Sequence, residues 1–348
     1  MGAKFRVALS GDLRQPDGTP TYPDFDLKPL LNAPDVEVAF LKSTGPFQAD
    51  ELEDFDALIT LIYPFTPQSV PKSGRLAIVA RFGVGYDMVN VPACTAGDIV
   101  LTITPDGVRR PVAVAIMTFI LALTGKIMVK DRLTRLGPPG FAARSAHMGV
   151  GLVGKVLGSL GIGNIGAEMF RMARPFDMGF IAHDPFADPK VAAELGIELV
   201  GLEDLFARAD ILTVNCPLTP DTRHIVNAER LALMKPTAYL INTARGPIVD
   251  QQALTAVLQA RKIAGAGLDV FEDEPTDPGD PLFALDNVIV TPHALCWTDQ
   301  CFAGIGAADV RAVLDVQRGL VPRGVVNRAV LEQPGFKTKL EGYAKAYR

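Results

Sequence analysis

The sequence predicts an α/β protein with two doubly wound domains, each built on a parallel sheet. Its 348 residues exceed the length at which a single hydrophobic core usually stops growing, which favours two domains. Short apolar strands alternate with helical segments in two successive series, as in parallel sheets covered by helices. A glycine-rich turn joins a strand to a helix at the start of the second series.

The composition is that of an ordinary globular protein, with 48% hydrophobic residues, 21% charged residues and a net charge of −5. No block of like charge suggests a nucleic-acid surface. The four cysteines show neither a C-x-x-C pair nor a zinc spacing, so we expect reduced thiols and no metal. The N-terminus lacks the apolar core of a signal peptide, and the apolar stretch 112–129 contains Lys126 and is interpreted as a buried helix. These features predict a cytoplasmic protein without membrane or nucleic-acid partners.

The first series is predicted to contain five strands and three short helices. The strands are expected at 5–10, 36–41, 57–62, 76–81 and 99–103, and the helices at 25–31, 50–54 and 91–96. Pro111 is then predicted to open a long apolar helix as its first residue, a position that suits proline. The stretch 135–148 contains Gly, Pro and Arg and is predicted to be a loop.

The second series has enough elements for a complete dinucleotide-binding domain. Its strands are predicted at 156–160, 180–183, 198–200, 211–215, 238–242, 264–269 and 288–291. The intervening helices are predicted at 164–174, 189–195, 202–207, 228–234 and 251–260, and a last long helix at 296–318.

Three glycines follow the strand at 156–160 with the spacing G-x-G-x-x-G. Gly161 permits a tight turn, Gly163 lets the backbone approach a pyrophosphate, and Gly166 lets helix and strand pack closely. The helix that starts at Asn164 and Ile165 presents free N–H groups and a positive dipole end to phosphates. A lone glycine triplet is also common in ordinary turns, so the prediction depends on the strand before it and the helix after it.

Asp184 ends the next strand, twenty-one positions after Gly163. An acid about 20 residues beyond the glycines binds the adenosine ribose hydroxyls in NAD-binding domains. No Arg or Lys follows within the next five residues to receive a 2′-phosphate, so the sequence favours NAD over NADP. The alternative is that Asp184 only starts the turn before Pro185.

Polar residues follow three later strands of the second series. Arg245 lies in the stretch after one strand, Glu274 in the acidic stretch after the next, and His293 after the third. A guanidinium can hold a carboxylate through two parallel hydrogen bonds, and a histidine can give and take a proton near neutral pH. A neighbouring carboxylate orients that histidine and favours its charged form. Singly each residue has a simpler explanation: Arg245 and Glu274 as solvated charges, and His293 as a cap of the following helix.

Another glycine turn, Gly83-Val84-Gly85, follows a strand of the first series. Its backbone N–H groups could face an anion such as a carboxylate, or the turn could only connect sheet to loop.

The sequence resembles the D-isomer-specific 2-hydroxyacid dehydrogenases over nearly its whole length. The resemblance rests on Leu-Gly-Ile-Gly-Asn-Ile-Gly at 160–166, Asn-Thr-Ala-Arg-Gly at 242–246, Gly-Leu-Asp-Val-Phe-Glu-Asp-Glu-Pro at 267–275 and Thr-Pro-His at 291–293. It implies that His293 is the acid/base, that Glu274 is its partner, and that Arg245 binds the substrate carboxylate. It further implies that Asp269 lies near the nicotinamide amide and that Val84 and Gly85 donate to the substrate. The residues implied to contact the cofactor are Gly161, Gly163, Asn164, Ile165, Gly166, Asp184, Cys216, Pro217, Thr222, Thr243, Ala244, Arg245, Asp269 and His293.

The resemblance also implies a domain order and an assembly. Residues 1–110 and 319–348 would form a discontinuous, flavodoxin-like substrate domain, and residues 111–318 a Rossmann domain that includes two helices crossing the hinge. The active site would lie in the cleft between the domains, and the protein would be a homodimer.

The sequence departs from the family pattern at two places. Trp297 stands four positions after His293 and is a candidate for the substrate pocket or for hinge packing, provided a helix starts at His293. Arg109 and Arg110 stand before the crossing helix, facing either a second anionic group of the substrate or solvent.

These observations predict an enzyme that interconverts a D-2-hydroxy acid and its 2-oxo acid with NAD and without a metal. Two alternatives remain open: a non-catalytic NAD sensor or scaffold on the same fold, and a formate- or phosphite-type dehydrogenase.

Overall fold

The computed structural model describes residues 4–347 and contains two parallel sheets. The chain divides into two compact units, one running to Val108 and resuming at Trp297, the other spanning Arg109–Cys296. The first sheet has the order β2-β1-β3-β4-β5, which is the order of flavodoxin-like sheets. Its strands are β1 (Phe5–Leu9), β2 (Val36–Phe40), β3 (Ala57–Thr60), β4 (Ile78–Arg81) and β5 (Val100–Thr102).

The second sheet has seven strands in the order β12-β11-β10-β9-β6-β7-β8. The order reverses between β6 and β9, so the loop after β6 lies at the switch point where doubly wound sheets bind ligands. The strands are β6 (Val156–Leu160), β7 (Gly179–His183), β8 (Ile197–Leu199), β9 (Ile211–Val214), β10 (Tyr239–Asn242), β11 (Gly265–Leu268) and β12 (Val288–Val290).

Helices connect the parallel strands and cover the sheets. The helices are α1 (Lys28–Leu31), α2 (Ala49–Leu52), α3 (Val91–Ala96), α4 (Pro105–Thr124), α5 (Ile127–Arg135), α6 (Pro138–Ala143), α7 (Asn164–Ala173), α8 (Pro189–Leu195), α9 (Leu202–Arg208), α10 (Ala228–Leu231), α11 (Gln251–Gln259), α12 (Asp299–Gln317) and α13 (Pro334–Ala346).

Central strands of both sheets consist of buried, mainly apolar residues, because helices cover both of their faces. Gly158 in β6 shows how closely a helix can pack on the sheet. A Cβ at Gly158 would lie 2.9 Å from Leu205 Cδ1 and from Ala209 Cβ. A glycine in this strand therefore lets α9 approach the sheet. The fold class predicted from the sequence, two parallel doubly wound sheets, is confirmed.

The predicted domain boundaries differ from those of the two compact units at the C-terminal side. The sequence placed the last long helix, with residues to 318, in the cofactor domain. In the structure α12 packs against β4 and α1, which makes it part of the first unit. The amino-terminal boundary differs by two residues, 108 instead of 110.

Two predictions that concern proline were wrong. The long helix begins at Pro105, and Pro111 lies inside it. The stretch predicted as a loop contains α6, with Pro138 at its start, followed by a turn of 3₁₀ helix. Gly137, with φ of 67°, ends the preceding helix, and Pro138 then takes the helix-starting position that proline favours.

Helix α4 is the one described helix that is long and apolar enough to cross a membrane by length and composition. However, 61% of its most apolar window is buried inside the protein. Burial to this extent is typical of a core helix, as predicted for the part of the stretch 112–129 that lies in α4. The prediction was wrong beyond Thr124, where α4 ends before Lys126 and where Ile127 and Met128 of α5 are exposed.

Asp309 on α12 is a buried carboxyl group that its surroundings stabilise poorly. Its side chain is fully buried, and neither carboxyl oxygen has a hydrogen-bond partner among the described residues. Burial raises the pKa of Asp309 well above its ordinary value of 3.8, although the positive charge of Arg81 opposes this shift. The folded protein therefore binds this proton more tightly than the unfolded chain does, and ionisation of Asp309 destabilises the fold.

We expect Asp309→Asn to raise the free energy of unfolding at pH 8 by roughly 1–3 kcal/mol, because the neutral amide removes the cost of either protonating the carboxylate on folding or burying it as a charge. The gain should disappear near pH 4, where Asp309 of the wild type is protonated in the fold. Urea unfolding at both pH values measures the difference, with the exposed Asp24→Asn as control. A variant that is less stable than the wild type at pH 8 would contradict this expectation.

Candidate active site

The glycine turn after β6 has the geometry that its spacing predicts. Gly161 has a φ of +95°, and a Cβ there would lie 3.0 Å from the backbone of Asn215. A Cβ at Gly166 would lie 2.6 Å from the Gly161 carbonyl oxygen. The space around Gly163 is open, and no side chain caps the amino-terminus of α7. An anion can therefore reach the first N–H groups of α7, those of Asn164 and Ile165 included.

Asp184 lies directly beside this turn. Its Oδ2 accepts a hydrogen bond from the Ile162 amide at 2.9 Å, and its Oδ1 accepts one from the Phe186 amide at 2.9 Å. The carboxylate thus both starts the local turn and supports the glycine loop. The role of Asp184 in this turn does not prevent the predicted contact between Asp184 and the ribose hydroxyls.

The loop after β9 lies against the glycine turn through Asn215. Within it, Thr222 Oγ1 donates to the Pro217 carbonyl oxygen at 2.6 Å and accepts from the Thr219 amide at 2.7 Å. The Thr222 hydroxyl therefore shapes this loop. Burial raises the pKa of the Cys216 thiol to about 12, helped by the charge of Asp184, so Cys216 is a neutral thiol at physiological pH.

The stretch after β10 folds around the Asn242 side chain. Its Oδ1 accepts from the Ala244 amide at 3.0 Å, and its Nδ2 donates to the Arg245 carbonyl oxygen at 2.9 Å. Thr243 Oγ1 is buried and has no hydrogen-bond partner among residues 4–347. A buried hydroxyl in this state calls for a ligand group, so the stretch fits the cofactor that the sequence predicts.

Gly246 brings the Arg245 stretch into contact with the stretch that carries Glu274. A Cβ at Gly246 would lie 1.8 Å from the Phe271 carbonyl oxygen. Only glycine allows this approach, which sets Arg245 and Glu274 on adjoining backbones. The Arg245 Nη1 donates to the Ala244 carbonyl oxygen at 2.6 Å.

His293 and Glu274 form a hydrogen-bonded pair. His293 Nδ1 lies 2.8 Å from Glu274 Oε2, and the side chains are 44% and 35% exposed. Glu274 Oε1 also accepts from the Phe271 amide at 2.9 Å, which fixes the carboxylate to its own loop. With Nδ1 bound to the carboxylate, Nε2 is the ring nitrogen left for proton exchange with a ligand.

The charge of Glu274 follows from its surroundings. Partial burial would raise its pKa, but the hydrogen bonds from His293 and Phe271, with the charges of His293 and Arg245, lower it below the ordinary value of 4.5. Glu274 is therefore ionised at neutral pH, as the partner of a protonated histidine should be.

His293 has a left-handed backbone, with φ of 54°. Its amide donates to the Thr291 carbonyl oxygen at 3.0 Å, which closes a tight turn. The following helix α12 starts at Asp299, capped by Thr298, so His293 does not cap it. This corrects the simpler explanation that the sequence left open for His293.

Asp269 holds the loop that carries His293. Its Oδ1 accepts from the Thr291 hydroxyl, from the Ala294 amide at 2.9 Å and from the Leu295 amide at 3.1 Å. Burial raises the pKa of Asp269, although these hydrogen bonds and the charge of His293 oppose the rise. The resemblance placed Asp269 beside the nicotinamide amide, which stays a prediction. The support it gives to the His293 loop could not be derived from the sequence.

In the first unit, Val84 and Gly85 follow β4 as predicted. The neighbouring Gly83 has a φ of +130°, and a Cβ there would lie 1.9 Å from Arg81 Nη1. The guanidinium of Arg81 therefore lies against the turn, donating to the Phe82 carbonyl oxygen. Sequence reasoning missed this arginine, although an arginine two positions before a glycine turn was the available signal.

Trp297 packs within an aromatic cluster of the first unit. Its ring lies 5.6 Å from that of Tyr22 and 5.4 Å from that of Phe302, with edge-to-face geometry. Because α12 starts at Asp299, the helical relation assumed between Trp297 and His293 was wrong.

Arg110 has a partner in the second unit. Its Nη1 lies 2.7 Å from Glu168 Oε1, and its side chain is 61% exposed. From the sequence we considered that Arg110 faces either the substrate or bulk solvent. The ion pair with Glu168 was not predicted.

A cavity of about 580 Å³ adjoins the His293–Glu274 pair, and sequence reasoning did not find it. Much of its wall is apolar, with Phe271, Phe283 and Val290 among the lining residues. Over residues 4–347, no cluster of His, Cys, Asp and Glu has a composition that could hold a metal ion.

A doubly wound sheet with a glycine turn at its switch point, and a histidine–carboxylate pair after β11 and β12, is typical of dehydrogenases that use a nicotinamide cofactor. A model of the family described as "D-isomer specific 2-hydroxyacid dehydrogenase, NAD binding domain" matches residues 117–294. The chain belongs to this family and is an NAD-dependent D-2-hydroxyacid dehydrogenase. The resemblance inferred from the sequence motifs is thereby confirmed.

Individual relatives support the assignment. The chain is 36% identical over 292 residues to the glyoxylate reductase of Korarchaeum cryptofilum, covering 83% of this chain and 88% of the relative. It is 37% identical over 313 residues to the D-3-phosphoglycerate dehydrogenase of Methanocaldococcus jannaschii, covering 88% of this chain and 58% of the relative. The solved glyoxylate reductase of Paecilomyes thermophila matches with a TM-score of 0.79 at 25% identity, over 94% of this chain and 99% of that one.

Proposed function

We propose that this enzyme reduces a small 2-oxo acid to the D-2-hydroxy acid with NADH, and catalyses the reverse oxidation with NAD. The observation that carries the proposal is the His293–Glu274 pair, 2.8 Å apart, on the sheet that also bears the glycine turn and Arg245. Several of the relatives are glyoxylate reductases, which supports a short substrate side chain.

In this proposal His293 is the general acid for reduction. Its protonated Nε2 donates to the carbonyl oxygen as that oxygen becomes an alkoxide, and the neutral imidazole takes the proton back in the oxidation. Glu274 remains ionised and stabilises the charged imidazole through Nδ1. The reduced nicotinamide, when bound, supplies the hydride for the carbonyl carbon.

Arg245 binds the substrate carboxylate and orients the carbonyl. A guanidinium can make two parallel hydrogen bonds to a carboxylate, which fixes the plane of the substrate. We propose Val84 and Gly85 as backbone donors to the same carboxylate, and Trp297 as a wall of the substrate site. The aromatic contacts of Trp297 hold its ring in a fixed orientation.

For the cofactor we propose NAD rather than NADP. The pyrophosphate would lie at Gly163 and the start of α7, where the space is open, and the ribose hydroxyls at Asp184. The unpartnered hydroxyl of Thr243 would receive a cofactor group. A carboxylate at Asp184 repels a 2′-phosphate, which is the physical basis of the preference.

The two alternative functions are less well supported. Oxidation of formate to carbon dioxide releases a hydride without removing a proton from oxygen, so it makes no use of the His293–Glu274 pair. A non-catalytic sensor conflicts with membership of the chain in an enzyme family.

We also propose a cytoplasmic homodimer. Helices α5 and α6 pack together, and exposed apolar side chains lie on them and on the link between them, among them Phe141 of α6 at 66% and Leu136 of the link at 64% exposure. Apolar side chains grouped on one surface favour burial against another copy.

We expect NADH oxidation to accompany reduction of a 2-oxo acid, with NADPH giving a much lower kcat/KM. Absorbance assays should use glyoxylate, hydroxypyruvate, pyruvate, branched and aromatic oxo acids, and a dicarboxylate. A preference for short oxo acids supports the proposal. Absence of turnover with every oxo acid, combined with tight NADH binding, would reject it.

A further inference from the structure

A second histidine–carboxylate pair lies close to the proposed catalytic pair. His224 Nε2 is hydrogen-bonded to Glu272 Oε1, and the side chains are 37% and 24% exposed. Arg223 approaches the same oxygen, with its Nη2 at 3.9 Å. Neither His224 nor Glu272 has a part in the mechanism proposed above.

Glu272 belongs to the short segment that fixes Glu274. The Phe271 amide donates to Glu274 Oε1 at 2.9 Å, and the carbonyl of the same residue touches Gly246. Glu272 is itself anchored at the start of α11, since its amide donates to Gln251 Oε1 at 3.0 Å and its Oε2 accepts from the Gln251 amide at 3.2 Å. A displacement of Glu272 would therefore also move the neighbouring Phe271 amide, which holds the Glu274 carboxylate.

His224 belongs to the loop after β9 that carries Thr222. The His224 amide donates to the Pro247 carbonyl oxygen at 2.9 Å, and the Val226 amide donates to the Ile248 carbonyl oxygen at 3.1 Å. This loop is thus paired with the stretch that follows Arg245. His224 adopts a left-handed backbone, with φ of 51°, which directs its ring from this loop to Glu272.

We propose that His224 is a positioning residue for catalysis, which acts by fixing three loops relative to one another. They are the loop after β9, the Arg245 stretch and the segment 271–274. This inference rests on the proposed function. Because the His224–Glu272 pair is partly exposed, it adds little to global stability, and its main effect is on the local placement of Glu274.

The first test compares His224→Asn with Arg223→Gln. Asparagine tolerates the left-handed backbone but is too short to reach Glu272, whereas the arginine variant removes a nearby charge and keeps the hydrogen bond. We expect the asparagine variant to lower kcat about 10-fold, since small misplacements of reacting groups are costly. Its Tm and the kinetics of the arginine variant should stay close to the wild type. A kcat of the asparagine variant equal to that of the wild type would overturn the proposal.

A double-mutant cycle identifies the residue through which His224 acts. In a Glu274→Gln background the same His224→Asn change should cost less than about twofold, because the group being positioned is already lost. An equal loss in both backgrounds would show that His224 does not act through Glu274.

Hydrogen exchange provides a readout that does not depend on turnover. In His224→Asn, the amides of Phe271 and Glu272 should exchange faster than in the wild type, while amides of the central strand β9 should not change. If the wild type reduces no oxo acid, the proposed function fails, and this measurement still decides the link between the loops. Unchanged exchange at both amides would overturn the link.

Discussion

His293→Asn is expected to lower kcat for 2-oxo acid reduction by about 10²–10⁴-fold, the usual contribution of a general acid–base group. The variant lacks a group that can donate a proton near neutral pH. Asparagine tolerates the left-handed conformation at this position, so the loop held by Asp269 should keep its shape. The loss should appear in kcat, with the Kd for NADH nearly unchanged. Stopped-flow assays with the preferred oxo acid and fluorescence titration of NADH measure the two quantities.

His147→Asn is the matched control, because His147 lies in a short 3₁₀ helix of the same unit, away from the sheet ends. Its activity should stay within about twofold of the wild type. Turnover of His293→Asn at the level of this control would remove His293 from the mechanism. A loss of NADH affinity equal to the loss of kcat would indicate a binding role instead.

Arg245→Lys is expected to lower kcat/KM for the oxo acid by roughly 10- to 100-fold, since a charge-assisted hydrogen bond contributes about 1.5–3 kcal/mol. Lysine keeps the positive charge but cannot make two parallel hydrogen bonds to a carboxylate. Most of the loss should therefore appear at subsaturating substrate, as a higher KM. Binding of NADH should change far less than kcat/KM, because the glycine turn and Asp184 are untouched.

Arg261→Lys provides the control, since Arg261 is an exposed arginine paired with Asp286 on the same unit. Unchanged oxo acid kinetics in Arg245→Lys would disprove the assignment of the substrate carboxylate to Arg245. A matching loss in Arg261→Lys would show that the change is not specific to the site.

Much of the fold could be predicted from the sequence because its signals are local. A short, mainly apolar run such as that of β9 identifies a strand buried on both faces, and alternation with helices then gives a parallel sheet. The two wrong predictions about proline arose because proline can either break a helix or start one. Pro111 lies inside α4, and Pro138 starts a helix within a stretch predicted to be a loop. The choice between breaking and starting a helix depends on neighbouring packing, which the sequence does not display.

For the candidate site, the spacing of the motifs predicted which residue types are present, but not the hydrogen bonds that hold them in place. The glycine turn and the order of Arg245, Glu274 and His293 follow from motifs. The hydrogen bonds of Asp269 to the 294 and 295 amides join residues 25 and 26 positions apart, and the His224–Glu272 pair spans 48. Such contacts arise only when strands β9 to β12 are placed side by side. The clash that a side chain at Gly246 would make with Phe271 is likewise a property of the folded chain.

The order of strands has a consequence for how this chemistry can be inherited. β10, β11 and β12 are consecutive in the chain and adjacent in the sheet, so one uninterrupted stretch, 239–295, carries Arg245, Glu274 and His293. The glycine turn and Asp184 belong to the opposite half of the sheet, beyond β9. Recombination between related genes at the β9 region would transfer the proposed acid–base and carboxylate-binding residues together. Nucleotide preference and substrate chemistry can therefore diverge independently in descendants of this chain.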